Sequence, residues 1–451
     1  MKVLKLLVIL FSPIFLSSQE KSIEVQMADG SKSQYNLRDI SMINFEVGNA
    51  TKAIVLLNDN SEREVALGSG ANITFSAGRM NVFSSTGSLI LDVDDISSIR
   101  FEEEDNSPRY PFGELEVDEV LLDGLNNPWG LNFIDEDRII FTEHSGRLYT
   151  YKISEDLTFE ITGLPSNLAQ VGQGGLLDVT VHPDFMTNGR IYLAYTITGS
   201  GGSTTAIGYG ILNNNMLSGF QEIFRGSPMV NSGAHFGSRI VFDENNMLYF
   251  AIGDRGTPSN AQDSTNHYGS VLRINDDGTV PTDNPYLNAP NAMPELYSMG
   301  NRNIQGMFYL REKEEIWAVE HGPRGGDELN IIEAGENYAW PLATHGINYN
   351  GTKITDSTSL YGYKDPITYW VPSIAPCGME LVGYDSDKNE LDVLVTALSG
   401  QHLHRLRIVD DEIVESLRSL NGYARFRDVQ MSPDGYLYAV TQSPGRLIRL
   451  K

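Results

Sequence analysis

The sequence predicts an all-β protein: a six-bladed β-propeller preceded by a small all-β N-terminal module. Three observations carry that expectation. The 451 residues include 43 glycines and 19 prolines, the turn residues that many short strands require. A strand-like motif recurs six times between residues 112 and 451, at intervals of about 60 residues. A separate, shorter repeat occupies residues 19–106.

Composition bounds the function. Lys and Arg number 33 against 59 Asp and Glu, a net charge of −26. So acidic a surface repels phosphate backbones and anionic lipid, which argues against nucleic-acid and electrostatic membrane binding. Hydrophobic residues make up 41% of the chain, enough for a packed core and too many for wholesale disorder. The single cysteine, Cys377, can build neither an intramolecular disulfide framework nor a cysteine-based zinc cluster.

Residues 1–18 (MKVLKLLVILFSPIFLSS) read as a signal peptide. Lys2 and Lys5 form a basic start, Leu6 to Phe11 an apolar run, and Ser17–Ser18 a small-residue cleavage site. An N-terminal anchor helix is the alternative, but the apolar run is short for a span and Pro13 breaks it. No cysteine lies near the cleavage point to take a lipid, and no later stretch is long and apolar enough to span a bilayer. The expectation is an exported, soluble protein, periplasmic or extracellular, whose charge becomes −28 once Lys2 and Lys5 are removed.

In residues 19–106, ADGSKSQYNLRDISMINFE (28–46) matches STGSLILDVDDISSIRFEE (85–103), with Asp39-Ile40-Ser41 and Asp95-Ile96-Ser97 separated by 56 residues. Each copy has a turn, an alternating strand and a short I-x-F strand, the pattern of a small β module. It contains no histidine or cysteine, and nothing in it looks catalytic. The acidic, proline-bearing EEEDNSPRYPF (102–112) marks a linker, placed at 107–111.

From 112 onward the marker strands are Arg138–Phe141, Arg190–Leu193, Met247–Phe250, Glu315–Ala318, Val393–Val395 and Tyr436–Ala439. Turn residues precede them, as in DENN (243–246) and SPDG (432–435). A period near 60 suits four-stranded blades, and six copies imply six blades. Ahead of each marker lies a second in-phase segment: PWGL (128–131), GQGGLLDV (172–179), HFGSRI (235–240), RNIQGM (302–307), APCGME (375–380) and RFRDVQ (425–430). Their apolar content suits the innermost strand of each blade. Their leading polar residues then gather at one mouth of the channel: Gln173, His235, Arg302, Asn303, Gln305, Arg425 and Arg427. Three arginines in a concave site of an acidic chain point to an anionic ligand.

At these residues the chain resembles a known family. GQGGLLDVTVHPDF (172–185), HFGSRIVFDENNMLYFAIGDRG (235–256), VLRINDDGTVPTDNPY (271–286), GNRNIQGM (300–307), EHGPRGGDELNIIEAGENYAWP (320–341), PSIAPCGM (372–379) and RFRDV (425–429) are similar to the soluble quinoprotein glucose and aldose sugar dehydrogenases. The resemblance covers 112–451, none of 19–106, and is closer to the aldose branch. It implies a six-bladed propeller carrying pyrroloquinoline quinone (PQQ) and calcium, which oxidises aldose sugars at C1 and hands electrons to an external acceptor. His235 would be the base, Asp254 its support, and Arg302 and Asn303 the pair beside the quinone oxygens, with Asp327 holding Arg302. Gln173, Gln305, Arg425 and Arg427 would contact the cofactor, the last two through its carboxylates. Calcium would be held by the Gly322 and Pro323 carbonyls, and a second ion by the Glu328 carboxylate and the Tyr338 carbonyl.

Plain alternatives stand beside these roles. Arg425 and Arg427 alternate as on a solvated strand face, and Asp327 and Glu328 could be salt-bridge partners in a turn. The glucose branch has a lysine near the quinone in the segment matching TALSGQHL (396–403). Here Ser399 falls closest, so that contact is absent or replaced. His402 and His404 read as structural or exposed, Ile304 replaces a usual proline, and Cys377 is expected as a small buried residue. Tyr369 and Trp370 are candidates to wall the sugar site. Two other functional readings stay open: a calcium-dependent propeller lactonase, which would want several carboxylates lining its channel, and a catalytically silent interaction propeller.

Overall fold

In the computed structural model of the chain, residues 110–451 are described throughout; before them, description is confined to strands between positions 2 and 102. Two compact units result, Met1–Pro108 and Arg109–Lys451. In the first, Lys2–Leu6, Ile40–Phe45, Asn72–Ser76, Arg79–Ser84 and Gly87–Asp92 form one sheet. Ile14–Phe15, Ile96–Glu102, Lys52–Leu57 and Glu62–Ala66 form another, and Ser22–Gln26 pairs with Lys32–Asn36. The segments joining these strands lie outside the described residues. With them lie most of the export signal expected at 1–18, the turns of the module expected at 19–106, and residues 107–109 of the expected linker.

Arg109–Lys451 is a six-bladed β-propeller, each blade a four-stranded antiparallel sheet. Blade 1 is Pro128–Asp135, Arg138–Glu143, Arg147–Lys152 and Leu157–Ile161. Blades 2 to 5 begin with the innermost strands Leu176–Val181, Ile240–Phe242, Ile304–Leu310 and Pro376–Asp385. Blade 6 takes Arg425–Met431, Leu437–Ser443 and Gly445–Leu450 from the end of the chain and Val117–Asp123 from its start. Val117 pairs with Leu450 and Asp123 with Arg446, so the two ends of the propeller close the ring together.

The segments expected innermost are innermost, and all six markers fall on second strands. Each innermost strand touches the next, and Pro128–Asp135 touches Arg425–Met431. Burial decides the placement. Second strands such as Leu248–Ile252 are buried along their whole length, whereas outermost Leu157–Ile161 is exposed at four of five residues. Adjacent blades share apolar cores; the closing one joins Ile139, Phe141 and Tyr151 of blade 1 to Tyr438, Val440 and Leu447 of blade 6. Burying one such side chain contributes about 1.5–3 kcal/mol.

Local chemistry makes the hairpins. In DENN, Asp243 Oδ1 accepts from the Asn245 and Met247 N–H groups at 2.8 Å, and Asn246 takes φ 61°. The amide-bearing Asn tolerates that left-handed conformation better than most residues. Tyr110 and Pro111, expected to end a linker, are held by the propeller: the Tyr110 hydroxyl donates to the Leu450 carbonyl, and Arg405 donates to the Tyr110 and Pro111 carbonyls.

Candidate active site

The inner strands begin at one end of the channel, and a pocket of about 330 Å³ opens there. Its lining includes Gln173 from before blade 2, Phe236 and Gly237 from before blade 3, Asn303 and Gln305 of blade 4, and Arg425 and Arg427 of blade 6. Trp129 of blade 1 lies in the same wall, its ring centroid 5.5 Å from the Arg427 guanidinium. No Asp or Glu lines this pocket.

Neither His235 nor Arg302 lines this pocket, but each directly precedes a residue that does, Phe236 and Asn303. The His235 N–H donates to Gln173 Oε1 at 2.8 Å, and its ring Nδ1 lies 2.5 Å from Asp254 Oδ1. Asp254, fully buried, also accepts from the Gly256 N–H through Oδ1 and from Trp340 Nε1 through Oδ2, at 2.7 and 2.8 Å. Donation from Nδ1–H to the carboxylate leaves His235 Nε2 as the free, proton-accepting nitrogen. The approach is tight. A Cβ on Gly253 would meet the His235 carbonyl at 2.7 Å and its Cβ at 2.8 Å, so only glycine fits beneath the ring.

Arg302 is buried, and its Nη1 donates to the carbonyls of His321 and Gly322 at 2.8 and 2.9 Å. The expectation that Asp327 holds Arg302 is corrected here. Asp327 instead accepts from Gly322 N, Ser373 Oγ, Ile374 N and Ala375 N, joining blade 4 to the segment entering blade 5. Among the described residues these donors are its hydrogen-bond partners, and no Arg302 atom is one of them. Glu320 does the anchoring: Oε2 accepts from the Arg302 and Asn303 N–H groups at 2.5 and 3.2 Å. Asn303 Oδ1 accepts from Gly237 N and Gln305 Nε2, and Gln305 Oε1 accepts from Arg427 Nη1 at 3.3 Å. Arg425 bonds Gln442 and the Leu398 carbonyl at 3.2 and 3.4 Å.

The arginines are poorly compensated. Burial lowers the Arg427 guanidinium, Cys377 opposes this, and Arg239 and Arg425 lower it further; its Nε is buried with no partner. His321, also lining the pocket, is pulled down to about 3 by burial and then by Arg427, Arg302 and His235. A neutral imidazole is what such a cationic site tolerates.

Other expected residues sort differently. Ser399 is exposed at the rim beside pocket-lining Leu398, its Oγ 3.4 Å from the Ser373 carbonyl. Trp370 does not wall the pocket: it is buried in the blade 4–5 core, with Nε1 donating to His404. Tyr369 is exposed and stacks on His345. His402 and His404 are buried and structural, and Ile304 is core. Cys377 is buried with Sγ 3.5 Å from Arg427 Nη1 and 3.7 Å from His321 Nε2.

For a cation, the donor set is mixed. Gly322 and Pro323 are buried, and the Gly322 carbonyl already accepts from Arg302. Glu328 pairs across the strands with Glu320; burial first, and Glu320 second, push its carboxyl well above the usual range. Beside them Asn301 Oδ1 and Asn330 Oδ1 are buried without partners. The buried Tyr338 has its carbonyl bonded by Trp340 N at 3.0 Å. Crowded carboxyls with orphan amide oxygens are oxygen donors suited to a hard cation.

Sequence reasoning missed Glu320, His321 and Trp340, although the motif 320–341 contains all three. It also missed a buried triad beneath the pocket. Arg239 Nη1 lies 2.8 Å from both Asp178 Oδ1 and Asp428 Oδ2, and its guanidinium is 4.8 Å from the Trp129 ring. The signal was available, as a charged residue inside each apolar inner segment (LLDV, SRIV, FRDV). The triad joins blades 2, 3 and 6. Its Asp178 and Arg239 line a second cavity of about 290 Å³, also lined by Asn132, Thr180, Glu380 and Gln430.

Residues 125–449 match the family model described as Glucose / Sorbosone dehydrogenase. Aldose sugar dehydrogenase YliI of Escherichia coli (strain K12) is 39% identical over 343 residues, 74% of this chain and 92% of its own length. The solved apo form of soluble aldose sugar dehydrogenase from Escherichia coli has a TM-score of 0.69 at 36% identity, covering 75% of this chain and 99% of that one. The PQQ-bound form of aldose sugar dehydrogenase from Streptomyces coelicolor has a TM-score of 0.64 at 25% identity, covering 76% and 99%. A ring of six blades, a His–Asp pair at its mouth and this breadth of likeness agree: the chain belongs to the glucose/sorbosone dehydrogenase family of oxidoreductases.

Proposed function

We propose that this protein oxidises aldose sugars at C1 to lactones with PQQ as cofactor, passing electrons to an external acceptor. The observation that carries the reading is the His235–Asp254 pair, tied through the His235 N–H to Gln173 in the wall of a pocket also lined by Arg425 and Arg427. The pocket volume is in the range of about 300–1,000 Å³ that holds small ligands. Its unbalanced guanidinium charge, with Arg427 Nε orphaned, fits a ligand carrying several carboxylates. The PQQ-bound Streptomyces coelicolor relative supports the same cofactor.

When bound, PQQ supplies the quinone that takes the C1 hydride, and calcium the Lewis acid that polarises it. The chain does the rest. His235 Nε2 accepts the C1 hydroxyl proton, while Asp254 keeps Nδ1–H oriented and offsets the imidazolium charge. Arg302, held by two carbonyls, presents positive charge where negative charge develops. Arg425 and Arg427 pair with carboxylates; Gln173, Asn303, Gln305 and Ser399 supply hydrogen bonds. Calcium would be held by the Gly322 and Pro323 carbonyls, and a second ion by the Glu328 carboxylate and the Tyr338 carbonyl. A lactonase would want carboxylates in the pocket wall, where this one has arginines.

Export to the periplasm or beyond belongs to the proposal and rests on residues 1–18. No helix among the described residues is long and apolar enough to cross a membrane. The experiment is reconstitution of apoprotein with PQQ and calcium, followed by dye reduction with glucose and other aldoses. Aldose-dependent reduction that requires PQQ supports the reading; lactone hydrolysis indifferent to PQQ would replace it.

A further inference from the structure

Beside Asp254 in the chain, Arg255 is 1% exposed, one of the largest fully buried side chains of the propeller. It has no salt bridge among the described residues, although a buried guanidinium without a carboxylate is costly. Its donors go instead to backbone: Nη1 to the Ala234 carbonyl, and Nη2 to the Ser232 carbonyl at 2.7 Å and Ser203 Oγ at 3.1 Å. Ser203 Oγ in turn donates to the Ser232 carbonyl at 3.0 Å. The guanidinium carbon sits 3.4 Å from the centroid of the Phe236 ring.

These partners flank His235 on both sides. The segment they hold is conformationally unfavourable: His235 has φ 51°, Gly237 64° and Ser238 92°. A histidine in left-handed backbone persists only where its surroundings impose it. Asp254 fixes the imidazole ring and its neighbour Arg255 fixes the backbone that carries the ring. Burial pulls the Arg255 guanidinium down to about 10, which still leaves it protonated at neutral pH; Nη1 and Nη2 make the clamp, while Nε is buried with no hydrogen-bond partner.

We infer that Arg255 is a positioning residue for His235: by clamping the Ser232 and Ala234 carbonyls and covering Phe236, it holds the strained segment so that Nε2 faces the pocket. The inference rests on the reading of His235 as the base. An apolar residue of similar volume could fill the space but would leave the Ala234 carbonyl without this donor and the Ser232 carbonyl with Ser203 Oγ alone.

The test compares R255M, R255K and S203A with wild type in PQQ- and calcium-loaded protein, alongside amide hydrogen exchange of the apoproteins. R255M should lower kcat at least 30-fold while KM for glucose and PQQ affinity stay within threefold. R255K, which keeps charge but not the fork, should recover part of the loss. S203A should cost a smaller, 3- to 10-fold loss, and it decides the matter if R255M does not fold. Exchange should quicken in residues 230–238 and not in the other blades. The inference is overturned if kcat of R255M or S203A stays within twofold of wild type, or if exchange quickens equally in every blade and the kcat loss follows the lost Tm. Full activity in H235A would instead defeat the base reading, leaving a distinguishable result.

Discussion

Trp340 donates its indole Nε1–H to Asp254 Oδ2 at 2.8 Å, while Oδ1 of the same carboxylate receives His235 Nδ1. The two residues are 86 positions apart, and one follows blade 3's second strand while the other follows blade 4's third. The indole sets the plane of the carboxylate, and the carboxylate holds the His235 ring. Trp340→Phe keeps the apolar volume and deletes the donor. It should lower kcat roughly 5- to 30-fold, the equivalent of about 1–2 kcal/mol, with PQQ affinity unchanged. Steady-state kinetics beside a PQQ titration measures both, and an unaltered kcat would remove Trp340 from the relay.

His235→Ala deletes the proton acceptor without touching the arginines. Turnover should fall by about 10²- to 10⁴-fold, the usual contribution of general-base catalysis. PQQ should still bind with affinity within a few-fold of wild type. Retained turnover would assign the proton to another group.

Arg425→Ala combined with Arg427→Ala should show the opposite pattern. Each charged hydrogen bond contributes about 1.5–3 kcal/mol, so PQQ affinity should drop by at least an order of magnitude. The KM for glucose should change less. Equal losses in both would mean that these arginines support the pocket wall and not the cofactor.

Arg239→Met leaves Asp178 and Asp428 facing each other in the buried channel floor with no cation between them. Removing one partner of a buried ion pair costs about 3–5 kcal/mol. Thermal unfolding should move down by several degrees, and the double variant with Asp178→Asn should recover part of it. An unchanged Tm would mean that the blades do not depend on this triad.

Glu380 supplies a pH dependence. Burial pushes its carboxyl up to about 8 from an ordinary 4.5. Between those values the folded protein holds a proton that the unfolded chain has lost, so stability falls as pH rises through that window. Glu380→Gln should lose less Tm between pH 5 and pH 8 than wild type does. Identical losses would show that Glu380 does not titrate with folding.

The propeller was legible because its repeat is a property of spacing. Marker strands such as Met247–Phe250 follow turn chemistry that depends only on neighbours like Asp243 and Asn246, and the apolar inner segments precede them in constant phase. The ring of polar residues at the mouth follows from that phase, which is why Gln173, Asn303, Gln305, Arg425 and Arg427 were found. The partners of those residues were harder. Which carboxylate supports Arg302 depends on the rotation of strand Asp327–Ile332 relative to Glu315–Glu320, and Glu320, not Asp327, turns out to face its backbone. Trp370 failed as a sugar wall for a related reason: neighbours on a strand point to opposite faces, so Tyr369 goes to solvent and Trp370 to the core. Trp340 lies outside the phased segments, so spacing does not connect it to Asp254; the Asp178–Arg239–Asp428 triad lies within them, and its signal is the charge inside each apolar inner segment.

A crystal structure of the protein soaked with PQQ and calcium bears most directly on the whole scheme. One PQQ molecule should lie in the pocket with its carboxylates on Arg425 and Arg427 and its quinone edge between Arg302 and His235. Density for PQQ elsewhere, or an empty pocket at saturating PQQ, would contradict it.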